Sequence, residues 1–390
     1  MQTEGLKKTV IYAGGFKLPD KNAAAQRVIA NAKILRDLGY NVVFIDVDED
    51  CSRDITATKR SVFGFDCYSV RYPGNAIEWF SYVTRINEVK RISLLYENVS
   101  HVILYNYPAV AMSRLLKYFH KRNIKVIADS TEWNAKTHNI PKNIDTDLRM
   151  KNVHCKLDGV ICISRYLDSY YKDKTKTVYL PPLTDKEDEK WKQKRQKQDG
   201  ILTFTYAGKT GKYKDKLNMI LESLCETAPQ KMYQFNILGV SKEICLGNYP
   251  EIKEVLDKLG ENVVFRGRVS HWEALSYLTN SDFSVFFRQD TIVSRAGFPT
   301  KFVEAVTSGT PVITNKTSDL GEYLKDGENA ILIDGYEKKD IKAAFERVFA
   351  MTHEQIASIK AECEAERDTF DYRKYKDRLN IFIDEVLNKK

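Results

Sequence analysis

Two doubly wound α/β domains in tandem are what this sequence predicts, and three observations carry the prediction. Short runs that are apolar throughout alternate with longer stretches whose apolar residues recur at helical spacing, as parallel strands covered on both faces by helices require. The alternation breaks once, at Leu180-Pro181-Pro182 and the charge- and amide-rich run 185–199, and then starts again. At 390 residues the chain can hold two cores, each of an ordinary size of roughly 100–200 residues. The expected division is a first domain over 1–182, a solvated connection over 183–200, a second domain over 201–370, and a closing helix over 371–390 that can return to the first domain.

The elements follow in order. Thr9-Val10-Ile11-Tyr12-Ala13 is a strand ended by Gly14-Gly15. Val28, Ala32, Leu35 and Leu38 then share one helix face, with Gly39 placed for a left-handed cap. Val42-Val43-Phe44-Ile45 completes a right-handed βαβ unit. Strands are predicted at 102–105, 126–128 and 159–163, with helices over 109–120 and from Ser164 onward. In the second domain strands fall at 201–206, 234–238, 263–265, 283–287, 311–314 and 330–333. The closing helix carries Tyr372, Tyr375, Leu379, Ile381, Phe382 and Val386. Doubly wound sheets bind ligands outside the carboxyl ends of their strands, here expected in a cleft between the two domains.

Composition narrows the function. Hydrophobic residues at 43%, charged at 29% and aromatic at 11% exclude a disordered chain, a collagen-like repeat and a small disulfide scaffold. The excess of 61 basic over 53 acidic residues, +8, suits a phosphate-bearing ligand or an anionic membrane surface and does not indicate a nucleic-acid binder. Seven cysteines, at 51, 67, 155, 162, 225, 245 and 363, form no Cys-x-x-Cys pair and no cluster with histidine. Neither a disulfide framework nor zinc is expected, and a reducing cytosol is. A polar start and the lack of an apolar run of about 18 residues predict neither a leader nor a membrane span.

The most specific stretch is Arg295-Ala296-Gly297-Phe298-Pro299-Thr300-Lys301-Phe302-Val303-Glu304-Ala305. Gly297 lets backbone approach a ligand, and Pro299 suits the first turn of a helix. The amides around Phe298, Thr300 and Lys301 then form an anion site, aided by the helix dipole and by the Lys301 charge. Glu304, one turn further in, can accept hydrogen bonds from two vicinal hydroxyls, as on a ribose. Taken alone, the stretch also reads as a turn followed by a solvated glutamate. Its sequel is Ser308-Gly309-Thr310-Pro311-Val312-Ile313, then Asp319, Glu322 and Asp326-Gly327-Glu328-Asn329-Ala330.

With that sequel the sequence resembles glycosyltransferase family 4 (group 1), retaining enzymes of the GT-B fold, in the form common to bacterial surface-polysaccharide clusters. The resemblance implies two Rossmann-like domains whose parallel sheets face a cleft. It implies that Glu304 is the second glutamate of the family's E-x7-E motif and binds the ribose. The first glutamate would fall at Ala296, a departure that touches a sugar contact. Asp158-Gly159-Val160-Ile161-Cys162-Ile163-Ser164 is similar to the last strand of the N-terminal domain, and Tyr206-Ala207-Gly208 to the first of the C-terminal one. After Gly208 the family places two basic residues on the donor diphosphate. Lys209 fits the first and Lys214 the second; Lys216 could replace Lys214, but it and Lys212 read first as surface. Arg268 and Val269, in Val264-Phe265-Arg266-Gly267-Arg268-Val269, resemble the loop that meets the base. Cations in a glycine-bearing loop would neutralise the charge growing on a departing diphosphate. Arg288 and Arg295 flank the anion site, where they either pair with phosphate or brace Asp290 or Asp282.

The first domain would supply the acceptor site, with Gly15 bringing its loop toward the donor phosphate. Asp129 or Glu132, after a strand end, would orient the acceptor hydroxyl or steady charge at the anomeric carbon, while Asp129 or Ser130 reads equally as a helix cap. Gln26 and Arg27, in the first helix, either reach the acceptor or form a solvated helix face, the second being the preferred reading. Asp46-Val47-Asp48 and Asp145-Thr146-Asp147 each spell Asp-x-Asp, a weak metal signal at two residues, and the first reads as a solvated acidic turn, so no metal is expected; His271 reads as a helix-start residue. Two stretches mix aromatic and basic residues, Trp79 to Arg91 and Leu115 to Arg122; each can rest on an anionic membrane or pack on the sheet. The expectation is a metal-independent retaining glycosyltransferase without a cofactor. Its partners would be a nucleotide-sugar donor, a UDP-sugar first, and a glycan or lipid-linked acceptor, at the inner face of a membrane and with no nucleic acid. The rivals are a degenerate subunit that scaffolds a partner transferase and a sugar-nucleotide epimerase or phosphorylase of similar fold.

Overall fold

The structure is a computed structural model that describes residues 7–133, 138–196, 200–208, 215–228 and 233–388. The chain divides into two compact units. The first comprises residues 1–184, 296–298 and 371–390, and the second 185–295 and 299–370.

Eight strands form the sheet of the first unit: β1 (Thr9–Gly14), β2 (Asn41–Asp48), β3 (Arg60–Val62), β4 (Phe65–Arg71), β5 (Val99–Tyr105), β6 (Lys125–Ser130), β7 (Gly159–Cys162) and β8 (Lys176–Tyr179). Their order is β3-β4-β2-β1-β5-β6-β7-β8, parallel except for the β3–β4 hairpin. The sequence pattern missed that hairpin and the edge strand β8. In β4 Asp66 and Ser69 interrupt the apolar run, and the hairpin turn uses Phe63 and Gly64, both with positive φ (51° and 79°). The direction of winding reverses between β1 and β5, and there Gly14 is required sterically: a Cβ on it would stand 2.5 Å from the Tyr105 carbonyl oxygen.

The helix Ala23–Asp37 opens on Asn22, whose side chain accepts from the Ala25 N–H, and closes at Gly39 with φ of 91°. Ser164 caps the helix Arg165–Tyr171 by accepting from the Leu167 N–H. The closing helix Lys376–Leu387 buries Leu379, Phe382, Ile383 and Val386 in the first unit's core, while Ile381 is exposed.

The second unit holds β9 (Leu202–Ala207), β10 (Tyr233–Leu238), β11 (Val263–Gly267), β12 (Phe283–Val285), β13 (Val312–Asn315) and β14 (Ala330–Ile333). All pair in parallel in the order β11-β10-β9-β12-β13-β14, so the winding reverses between β9 and β12. The charged run before β9 is not a free connection. Trp191 is buried against Leu275 and Leu278, and Arg195 donates to the carbonyls of Thr279 and Ser281. The lone apolar residue of that run is its anchor.

Candidate functional site

Ligands of doubly wound sheets lie at the point of reversed winding, beyond the carboxyl ends of the strands. In the second unit Gly208 follows β9 there, and the segment from Phe286 to Asp290 follows β12. A short helix, Ile292–Ala296, follows that segment. The helix Thr300–Thr307 starts next, with Pro299 as its N-cap residue, whose ring makes no side-chain cap hydrogen bond. Thr300 and Glu304 are half-buried and Lys301 is buried.

The Lys301 ammonium turns onto Asp215, which is 2% exposed and whose other oxygen takes the Arg288 Nε at 3.3 Å. The Tyr206 hydroxyl donates to the same carboxylate at 3.3 Å. Burial pushes the Asp215 carboxyl up, but the Lys301 and Arg288 charges outweigh it and hold it below the usual range. Burial depresses Lys301, an effect that Asp215 offsets only in part. Gly208 roofs this cluster: its φ is 155°, and a Cβ there would stand 2.9 Å from the Lys301 Nζ. Asp215 escaped the sequence reading because it belongs to no motif. The signal was present as a single carboxylate in the run Lys212-Tyr213-Lys214-Asp215-Lys216.

Glu304 lies 3.5 Å from the His271 Nε2, and His271 is the first residue of a helix capped by Ser270. Arg268 and Val269 lie just past the carboxyl end of β11, exposed and half-buried respectively. Arg295 braces Asp290 at 2.5 Å, and Asp282 is taken instead by Lys360 and the Thr203 N–H. Gly297 is half-buried and Phe298 buried; both group with the first unit, as does the buried Ala296. Lys209, Lys212 and Lys214 lie outside the described residues, and Lys216 sits over the Tyr336 ring.

In the first unit the sequence reading needs correction. Asp129 is neither an open carboxylate nor a helix cap but is fully buried. It accepts from Arg27 Nε at 2.9 Å, Arg27 Nη2 at 2.8 Å and the Tyr12 hydroxyl. Arg27, read as solvated, is 3% exposed, and its Nη1 donates to the carbonyls of Leu180 and Pro181. The helix face turned inward because Asp129, distant in sequence, waits beneath it. Glu132 and Gly15 are exposed, so Glu132 is the open carboxylate of this edge. A Cβ on Gly15 would meet nothing, and the steric need for glycine is at Gly14.

Asp46 is likewise no solvated turn: it lies buried in β2, accepts from the Leu18 N–H and the Ser69 hydroxyl, and pairs with Arg60. Asp145 accepts from the Ala109 N–H and Asp147 pairs with Lys151. Among the described residues no group of three or more His, Cys, Asp or Glu is arranged to hold a metal. Of the two aromatic–basic stretches, Leu115 and Phe119 face the core. The helix Ala76–Thr84 buries none of its residues, with Ile77 84% and Phe80 73% exposed. No described helix is long and apolar enough to cross a membrane.

Two parallel-sheet α/β units of this kind make the GT-B fold. Residues 202–351 match the family model described as glycosyl transferases group 1. Sucrose-phosphate synthase from Thermosynechococcus elongatus is similar over 97% of this chain and 99% of its own, with a TM-score of 0.76 at 13% identity. HepE of Anabaena, solved in complex with UDP and glucose, covers 97% and 99% with a TM-score of 0.68 at 12% identity. The catalytic domain of starch synthase IV from Arabidopsis thaliana, solved bound to ADP and acarbose, covers 98% and 100% with a TM-score of 0.71 at 9% identity. No curated protein sequence matches the chain.

Proposed function

We propose that the chain is a retaining, metal-independent glycosyltransferase. It would move a hexosyl or N-acetylhexosaminyl group from a nucleoside-diphosphate sugar, a UDP-sugar first, to a glycan or lipid-linked acceptor in surface-polysaccharide synthesis. The observation that carries this reading is a proline-capped helix start at the reversal point of the second sheet, bearing Lys301 and Glu304 within the stretch that matches the group 1 transferases. The nucleoside diphosphates bound by HepE and starch synthase IV support the choice of donor class.

In this reading the amides at Thr300 and Lys301 and the cations Lys301, Arg288, Lys209 and Lys214 meet the charge that grows on the leaving diphosphate, in place of a divalent ion. Glu304 accepts from the ribose hydroxyls, and Arg268 and Val269 meet the base. The acceptor hydroxyl attacks the anomeric carbon from the face the diphosphate leaves, which retains configuration, and Glu132 orients that hydroxyl. The exposed helix Ala76–Thr84, with Arg85 following it and Arg114 bonded to the Thr84 carbonyl, rests on an anionic bilayer that carries the acceptor.

Thermal unfolding against UDP, GDP, ADP, CMP and NAD tests the donor site. A ligand at 100 times its Kd adds about 2.7 kcal/mol of stability. Stabilisation by one diphosphate alone supports the reading and selects the base, and a flat response refutes it. The buried Ala296, in place of a motif glutamate, favours one rival, a scaffolding subunit, which predicts the flat response.

A further inference from the structure

We propose that Asp215 is a built-in counter-ion that limits how tightly the second unit holds the diphosphate of its nucleotide. The inference rests on the donor reading above and names a residue that no motif assigns.

Asp215 sits at the reversal point of the sheet, its backbone bridged to Arg288. One of its oxygens meets Lys301 Nζ and the other Arg288 Nε, so two cations share one carboxylate. Lys301 cannot turn elsewhere cheaply. It is buried, stands 4.2 Å from the centre of the Tyr206 ring, and lies beneath Gly208. Among these three groups, two cations and one anion sum to +1 where the two cations alone would present +2. A nucleoside diphosphate is both part of the incoming donor and the leaving group that must depart after each turnover. A site holding it through two uncompensated, desolvated cations would retain it, and product release limits turnover in many enzymes. The fixed carboxylate weakens that hold without moving.

A merely structural Asp215 predicts the opposite sign. If it only held Lys301 in place, removing it would loosen the cation and weaken anion binding. The experiment is isothermal calorimetry of UDP and of inorganic pyrophosphate against the full chain and Asp215→Asn, at low and high salt. The expected result is binding roughly 10–100-fold tighter in the variant, since a unit charge a few ångströms away acts through a partly screened medium. A steeper loss of affinity with salt should accompany it. Unchanged or weaker binding by a folded variant overturns the proposal. Arg288→Gln tests the same charge count in reverse, and serves if Asp215→Asn does not fold. It leaves Lys301 and Asp215 as a neutral pair and should weaken pyrophosphate binding about tenfold or more; unchanged affinity overturns the counter-ion role. Failure of the wild type to bind UDP, GDP or ADP refutes the donor reading instead, and the pyrophosphate arm still decides the role of Asp215.

Discussion

Replacing Asp129 with asparagine should cost folding stability before it costs anything else. The carboxylate receives three donors, Arg27 Nε, Arg27 Nη2 and the Tyr12 hydroxyl, in a site where Arg27 is 3% exposed and Asp129 fully buried. Asparagine keeps the shape but offers a single carbonyl oxygen. Its amide hydrogens would face a guanidinium that only donates, leaving at least one buried donor unpaired and the charge uncompensated. Removing one partner of a buried ion pair costs about 3–5 kcal/mol, a large fraction of the ~5–15 kcal/mol that stabilises a typical domain. The assay is urea unfolding of wild type, Asp129→Asn, Arg27→Met and the double variant, followed by far-ultraviolet circular dichroism. Because Arg27 also holds the Leu180 and Pro181 carbonyls, Arg27→Met should be at least as costly as Asp129→Asn. The double variant should cost clearly less than the sum of the two, with a coupling of roughly 2 kcal/mol or more. Loss within about 1 kcal/mol for Asp129→Asn, together with abolished turnover, would refute the structural assignment and return Asp129 to the acceptor site.

Glu304→Gln should weaken UDP binding more than binding of a dideoxyribose analogue, because the role assigned to the carboxylate is acceptance from the diol; equal losses would remove that role. Gly14→Ala should destabilise by roughly 1–3 kcal/mol or more in urea titration, since the new methyl would meet the Tyr105 carbonyl at 2.5 Å. His101 is fully buried and its imidazole is depressed by burial to about 3. The unfolded chain therefore takes up a proton near pH 6.5 that the folded chain refuses. The stability this group contributes is complete above pH 6.5 and declines by about 1.4 kcal/mol per unit as pH falls toward 3. His101→Phe, which keeps an aromatic ring beside Tyr40, should flatten the curve by that slope, and the buried His154 leaves a residual slope of the same sign. Ile77→Ser with Phe80→Ser should abolish co-sedimentation with vesicles containing anionic lipid while leaving the UDP response intact; equal sedimentation of both proteins removes the bilayer contact.

What the sequence makes legible is whatever a local pattern can encode. β9 and β10 alternate apolar residues with Thr203, Thr205, Gln234 and Asn236, and the edge strand β11 has no buried residue, while β1, β2 and β5 to β7 announce themselves as apolar runs because both faces of each are covered. β4 does not, since Asp66 and Ser69 spend their side chains on Tyr96 and Asp46, and β8 at the sheet edge has only Val178 and Tyr179 buried. In the closing helix the stripe runs through Leu379, Phe382, Ile383 and Val386, at spacings of three, four and seven, and Ile381 falls off it toward solvent.

The site is less legible for a different physical reason. A helix start with a lysine and a glutamate one turn apart is local, and the stretch 297–304 could be read for that reason. Whether a charged side chain is free to meet a ligand depends on partners that only the fold delivers. Arg27 and Asp129 are 102 residues apart in the chain, and Asp215 and Lys301 are 86 apart. Both pairs lie on the carboxyl side of a parallel sheet, close to its reversal point. Charges there are desolvated, so each must find a counter-charge from another βα unit or be offered to a ligand. The pairs therefore divide by how much compensation they find. Arg27 has its carboxylate and two carbonyls and is complete, which makes it a clamp. Lys301 and Arg288 share one carboxylate between them and are left with charge to spend, which makes theirs the place where an anion gains most.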